Sequence, residues 1–180
     1  NLIITGVPQE RLSEVLDRME AIGFTLKGSR LRGASIACTG QPYCNFAVAE
    51  TKGTLMEIVT HLEGVFGEGI EGLRIYLDGC PHACGKHWVG DIGLQGTTAT
   101  LPDGQKVPAY DIILRGGLGP EASIGKAVVR KVPLEQVKYS VERLVRAYKA
   151  YVRNGGGSGS FREFCLKHTD EELQRIASGN

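Results

Sequence analysis

The chain has almost no net charge: 21 Lys and Arg stand against 20 Asp and Glu over 180 residues, a balance of +1. That excludes wholesale binding to a phosphate backbone, so no nucleic-acid partner is expected. No apolar run approaches the roughly 18 residues of a membrane span, and Asn1-Leu2-Ile3-Ile4-Thr5 is too short for a signal-peptide core. The chain is therefore expected to have no membrane partner and to be cytoplasmic, or plastid-located if it comes from a photosynthetic eukaryote. No internal repeat and no initiator Met are present, and the opening residues already read as strand, so the polypeptide is expected to begin inside a larger protein. What is in excess is glycine, 25 residues or about twice the usual ~7% share, and cysteine, which numbers an odd five. In a reducing compartment those cysteines read as thiols or metal ligands rather than disulfides.

With 42% hydrophobic residues the chain can bury one core or two small ones. Leu2-Ile3-Ile4 is predicted as a strand. Pro8 then opens a helix whose Leu12, Val15, Leu16, Met19 and Ile22 fall on one face, ended by Gly23 and expected to pack on a sheet. Ser29 to Cys44 reads as loop, broken by Gly28, Gly33 and Gly40, and a helix is predicted from Asn45 towards Gly64. Leu73 to Leu77 reads as a strand feeding Gly79-Cys80. Asp91 to Thr100 and Gln105 to Leu114 read as a hairpin turning at Pro102-Asp103-Gly104. A short strand follows at 127–132, then a long amphipathic helix after Pro133. Residues 155–160 have the composition of a flexible linker, and 161–180 form a helical tail in which Thr169 and Glu172 make a capping box. The fold class expected is α+β, a mixed sheet with flanking helices and a C-terminal helical tail.

Four cysteines form two close pairs. Cys38 and Cys44 have five residues between them, Cys80 and Cys84 have three, and 35 separate the pairs. Two such loops can bring four thiolates to one centre, as soft metals and iron–sulfur clusters require. Structural zinc competes, although its pairs are usually two to four residues apart, and any one cysteine can instead be a small buried hydrophobe. For Cys165, between Phe164 and Leu166 with no second cysteine near it, the buried reading is favoured. Gly40, Gly79 and Gly85 border the ligand loops, where backbone N–H groups must come close to sulfur.

Ala37-Cys38-Thr39-Gly40-Gln41-Pro42-Tyr43-Cys44 with Ala49-Glu50-Thr51-Lys52, and Leu77-Asp78-Gly79-Cys80-Pro81-His82-Ala83-Cys84-Gly85 running into Val89-Gly90-Asp91-Ile92-Gly93-Leu94, resemble the C-terminal half of the sirohaem-dependent nitrite and sulfite reductases. The resemblance covers nearly the whole chain. It implies that residues 1–28 end a ferredoxin-like half-domain and that 29–154 bind sirohaem and a 4Fe-4S cluster. The cluster ligands would be Cys38, Cys44, Cys80 and Cys84, with Cys84 bridging to the sirohaem iron. The implied activity is six-electron reduction of nitrite to ammonia, with electrons from ferredoxin or a similar donor; Thr39-Gly40 and Glu50-Thr51-Lys52 are closer to the ferredoxin-type nitrite reductases. Sulfite reduction to sulfide, or a non-catalytic 4Fe-4S electron-transfer module, are the alternatives.

Sirohaem is ringed with carboxylates and its substrates are anions, so cations are needed nearby. Arg30, Arg32, Lys52, His82, Lys86, His87 and Arg115 are the candidates in this chain. In the resembled family the Arg and Lys that grip the substrate lie in the N-terminal half, so this chain is expected to carry half an active site and to bind sirohaem poorly alone. A different class is suggested by Gly117-Leu118-Gly119-Pro120-Glu121-Ala122, which satisfies the dinucleotide-binding pattern but lacks a predicted parallel β-α-β unit around it.

Overall fold

The computed structural model describes residues 3–24, 29–70, 72–157 and 159–179. Its centre is a five-stranded mixed sheet in which strand order follows chain order. Strand β1 (Ile36–Ala37) pairs in parallel with β2 (Ile75–Asp78), and β2 in parallel with β3 (Ile92–Thr100). The rest is antiparallel: β3 with β4 (Lys106–Leu114), and β4 with β5 (Lys126–Pro133). This is the α+β architecture expected, with the helices α3 (Lys52–Phe66), α4 (Leu134–Arg153), α5 (Phe161–Leu166) and α6 (Asp170–Ser178) around the sheet.

The hairpin forms where turn chemistry permits it. Leu101 N donates to Gln105 O, Gly104 N donates to Leu101 O, and the Asp103 carboxylate accepts from Gln105 N, while Gly104 takes a positive φ. Pro133 ends β5 and opens α4, whose Val137, Val141, Leu144 and Val145 face the core. The capping box of α6 is present, with Thr169 Oγ1 accepting from Glu172 N and the Glu172 carboxylate accepting from Thr169 N. Phe161, Phe164, Cys165, Leu173 and Ala177 of the last two helices join Leu31, Ile58, Leu77, Ile112 and Leu144 in one core. The chain from Phe161 onwards thus completes the body of the fold.

Several expectations fail for identifiable reasons. Ile3 and Ile4 form no strand and are exposed; Leu2, like Gly28 and Ser158, lies outside the described residues. Helix α1 (Leu12–Ala21) exists, yet no side chain on it is buried among the described residues, and Val15 and Met19 of its apolar face are only partly covered. Within the expected loop 29–44 lie a short helix α2 (Arg30–Ala34) and β1, which owe their form to tertiary contact. Ser29 Oγ caps α2 by accepting from Arg32 N. Helix α3 starts at Lys52 rather than Asn45 because the Glu50 carboxylate accepts from Gly53 N and Thr54 N, fixing the first turn there. After α4, Tyr148 Oη donates to Gly159 O, and Ser160 caps α5.

Candidate metal centre

Parallel strands that are neighbours end on the same side of a sheet. Cys38 directly follows β1, and Gly79-Cys80 directly follows β2, so the topology itself brings the two cysteine loops together. Cys38 N extends the pairing by one step, donating to Leu77 O at 3.0 Å. In return Gly79 N points at Cys38 Sγ, 3.3 Å away. A third link, Val48 N to Gly79 O at 2.8 Å, ties the far end of the first loop to the second. At the rim the Phe46 and His82 rings lie 5.0 Å apart.

The first loop is folded on itself. Cys44 N donates to Gly40 O, Gln41 N to Ala49 O, and the Gln41 amide to Ala47 O. Thr51, fully buried, donates from Oγ1 to Cys38 O at 2.8 Å, and Gly40 sits against it in a left-handed conformation, φ 63°. A Cβ on Gly40 would collide with that hydroxyl and stand 2.7 Å from Thr51 Cγ2. Tyr110 reaches from β4 to donate to Glu50 O. Burial pushes its phenol up to about 12, so it is a fixed donor at neutral pH. Burial opposes ionisation of Glu50 too, but the N–H groups of Gly53 and Thr54 hold its carboxyl below the usual range.

In the second loop Cys80 is buried, and its Sγ lies 3.3 Å from His82 Nδ1, while Cys84 is exposed. Ala83 and Lys86 both take left-handed backbone. Asp78, the last residue of β2, accepts from Gly85 N, His87 N and His87 Nδ1. Burial works against its charge, yet these bonds win and hold the carboxyl below its ordinary value. At Cys38 burial dominates and raises the thiol, with the Gly79 and Gly40 N–H groups acting against that rise and Asp78 adding to it.

Among the described residues no three His, Cys, Asp or Glu side chains converge as a single metal ion would need. The two stitched loops carry four free thiols, and a backbone N–H is turned to the sulfur of Cys38. Four thiols suit either a tetrahedral zinc ion or an iron–sulfur cluster.

The cationic candidates separate. Lys52 and Lys86 are exposed on residues bordering the loops, and His82 lies within the second. Arg30 is exposed on α2, and Arg32 is held by Glu63 and Thr60 of α3. Arg115 turns to the tail, donating to Cys165 O, His168 O and Asp170 Oδ1. His87 is 0% exposed. The Arg115 side chain is thus engaged by the tail, and that of His87 by Asp78. The glycine motif at 117–122 lies between the antiparallel β4 and β5, where Gly117 bridges Ser123, so the parallel unit of a dinucleotide site is absent among the described residues. Asp78, Thr51 and Tyr110 are not apparent as site residues in the sequence, since each acts through a contact that only the fold creates.

No helix among the described residues is long and apolar enough to cross a membrane. No protein-family model matches the chain. It is similar to sulfite reductase (ferredoxin) 1 of Mycolicibacterium paratuberculosis, 30% identical over 178 residues, which are 96% of this chain and 32% of that protein. It is also similar to the ferredoxin–nitrite reductase of Synechococcus elongatus, 34% identical over 145 residues, 81% of this chain and 28% of that protein. The solved structure of the Mycobacterium tuberculosis NirA protein shares the fold, with a TM-score of 0.80 at 24% identity over 93% of this chain and 31% of that one. The chain spans about a third of the length of the curated relatives it matches.

Proposed function

Because the chain is homologous to the sulfite and nitrite reductases in the broad sense, we propose that it is the cluster-carrying part of such an enzyme, with Cys38, Cys44, Cys80 and Cys84 as ligands of a 4Fe-4S cluster. The observation that carries this reading is the pair of cysteine loops leaving adjacent parallel strands and stitched by the Gly79 N–H to Cys38 Sγ. When bound, a 4Fe-4S cluster and a sirohaem would supply the redox chemistry for six-electron reduction of nitrite to ammonia.

The chain's own residues have separate tasks. Burial raises the Cys38 thiol and the N–H groups of Gly79 and Gly40 offset part of that rise, while the burial of Cys80 keeps water from that side of the centre. Cys84 is the exposed thiol of its loop, which suits it to be the bridging ligand. Lys52, His82 and Lys86 are placed to meet carboxylates of the macrocycle. Residues outside this chain, in cis or in trans, complete the pocket and grip the anion. The electron donor is ferredoxin or a protein like it, as the names of both relatives state for themselves. The alternative substrate is sulfite, which would be reduced to sulfide, since the relative matched over 96% of this chain carries a sulfite reductase name.

Anaerobic reconstitution with iron and sulfide tests the ligand set. The wild-type chain is expected to take up about four iron and four sulfide. Serine at Cys38, Cys44, Cys80 or Cys84 should reduce that content, and serine at Cys165 should leave it unchanged. In the full-length protein, Cys84→Ser should abolish magnetic coupling between haem and cluster. Uptake of zinc with no iron would overturn the reading.

A further inference from the structure

We propose that Asp78 and His87 form a clamp that shapes the 79–86 loop for ligation before any metal is bound, a role that rests on Cys80 and Cys84 being ligands. The loop needs holding. Ala83 and Lys86 lie at φ 58° and 65°, a left-handed backbone that non-glycine residues adopt reluctantly, and both flank Cys84 within two residues. Such a segment relaxes unless other contacts fix it.

Asp78 supplies those contacts. It is 1% exposed and ends β2, which pairs on both sides, so it is a fixed point of the sheet. Its Oδ1 accepts from Gly85 N at 2.5 Å, and its Oδ2 from His87 N at 3.2 Å and His87 Nδ1 at 2.8 Å. All three donors lie beyond Cys84, so the carboxylate closes the loop into a ring that starts and ends on the strand. Gly85 is what lets the ring close: a Cβ there would stand 2.9 Å from Leu77 O, 3.0 Å from Asp78 Oδ1 and 3.1 Å from Cys38 N. The same close packing puts the clamp against the start of the first loop.

His87 shows that the imidazole is present for its hydrogen bond rather than its bulk. Its side chain is fully buried, and its Nε2 has no hydrogen-bond partner among the described residues. An apolar ring would fill that space without leaving a buried nitrogen unpaired. What imidazole adds is the Nδ1–H directed at Asp78. Asp78 and His87 are positioning residues: they hold the loop that carries the ligands and need not touch a metal.

The test compares Asp78→Asn, His87→Phe and His87→Asn in the metal-free full chain by amide hydrogen exchange followed by NMR. Asp78→Asn and His87→Phe should speed exchange at the backbone amides of positions 85 and 87 at least tenfold, with β3 and β4 amides unchanged. His87→Asn, whose amide N–H can stand in for Nδ1–H, should recover most of the protection. After reconstitution with iron and sulfide, the two disruptive variants should lose their cluster in air several-fold faster and show an altered EPR line shape. Unchanged exchange in both, or His87→Asn no better than His87→Phe, overturns the clamp. If Asp78→Asn does not fold, the His87 pair decides. A wild-type chain that takes up no iron refutes the ligand reading, while the exchange data still judge the clamp.

Discussion

At Gly40 two independent penalties meet. Its φ of 63° disfavours any side chain, by ~1–2 kcal/mol, and a Cβ would collide with the Thr51 side chain, adding ~1–3 kcal/mol of overpacking. Gly40→Ala should therefore destabilise the fold by about 2–5 kcal/mol in urea unfolding. Gly104, at the tip of the hairpin, has φ 86°, but a Cβ added there would meet nothing within 4 Å. Gly104→Ala should lose only the backbone contribution, ~1 kcal/mol. Equal losses at the two sites would mean that the Thr51 contact does not hold the first cysteine loop.

Between elements, Arg115 binds the end of β4 to the tail through Cys165 O, His168 O and Asp170. Lys126 also reaches Asp170, and hydrogen bonds from Lys126 and Arg115 hold that carboxyl below its usual range. A depressed folded-state value means that the stabilisation is complete above the unfolded carboxylate pKa of ~3.9 and is lost as pH falls through the folded value. Asp170→Asn should cost about 1 kcal/mol at neutral pH. The gap between variant and wild type in urea titrations should close as the solution is acidified below that range. A gap that persists in strong acid would assign the loss to packing instead.

The elements also divide by what makes them legible. The hairpin β3–β4, the amphipathic α4 and the capping box of α6 follow from local pattern, because turn residues, a helical stripe and a cap each act within a few positions. β1 does not: two residues become a strand only because Tyr76 and Leu77 stand beside them. For α3, the apolar residues before Lys52 look periodic and suggest an earlier start, whereas the Glu50 carboxylate decides it. The cysteine spacing marks the four candidate ligands, but Asp78 looks like one more residue of a motif. Its three partners become visible only when the loop is folded back onto β2.

For the molecule as a whole, Cys165 reports on integrity. It is 0% exposed, and burial pushes its thiol up to about 12, against a smaller opposing pull from Arg115. At neutral pH a thiol reagent should leave it unmodified in the native chain and reach it only when the core opens, so its labelling rate should rise with urea in step with global unfolding. Labelling of Cys165 as fast as exposed Cys84 in native buffer would show that the tail detaches on its own.

The shared core also governs how the protein comes into being. Leu31 and Ile58 are covered in the same cluster as Leu173 and Ala177. At a synthesis rate of ~5–20 residues per second, roughly 7–28 s separate the emergence of Leu31 from that of Leu173. Throughout that interval the early apolar residues lack their final neighbours, and both cysteine loops leave the ribosome before the core beneath them can close. The nascent thiols are thus open to oxidation or stray metals for many seconds.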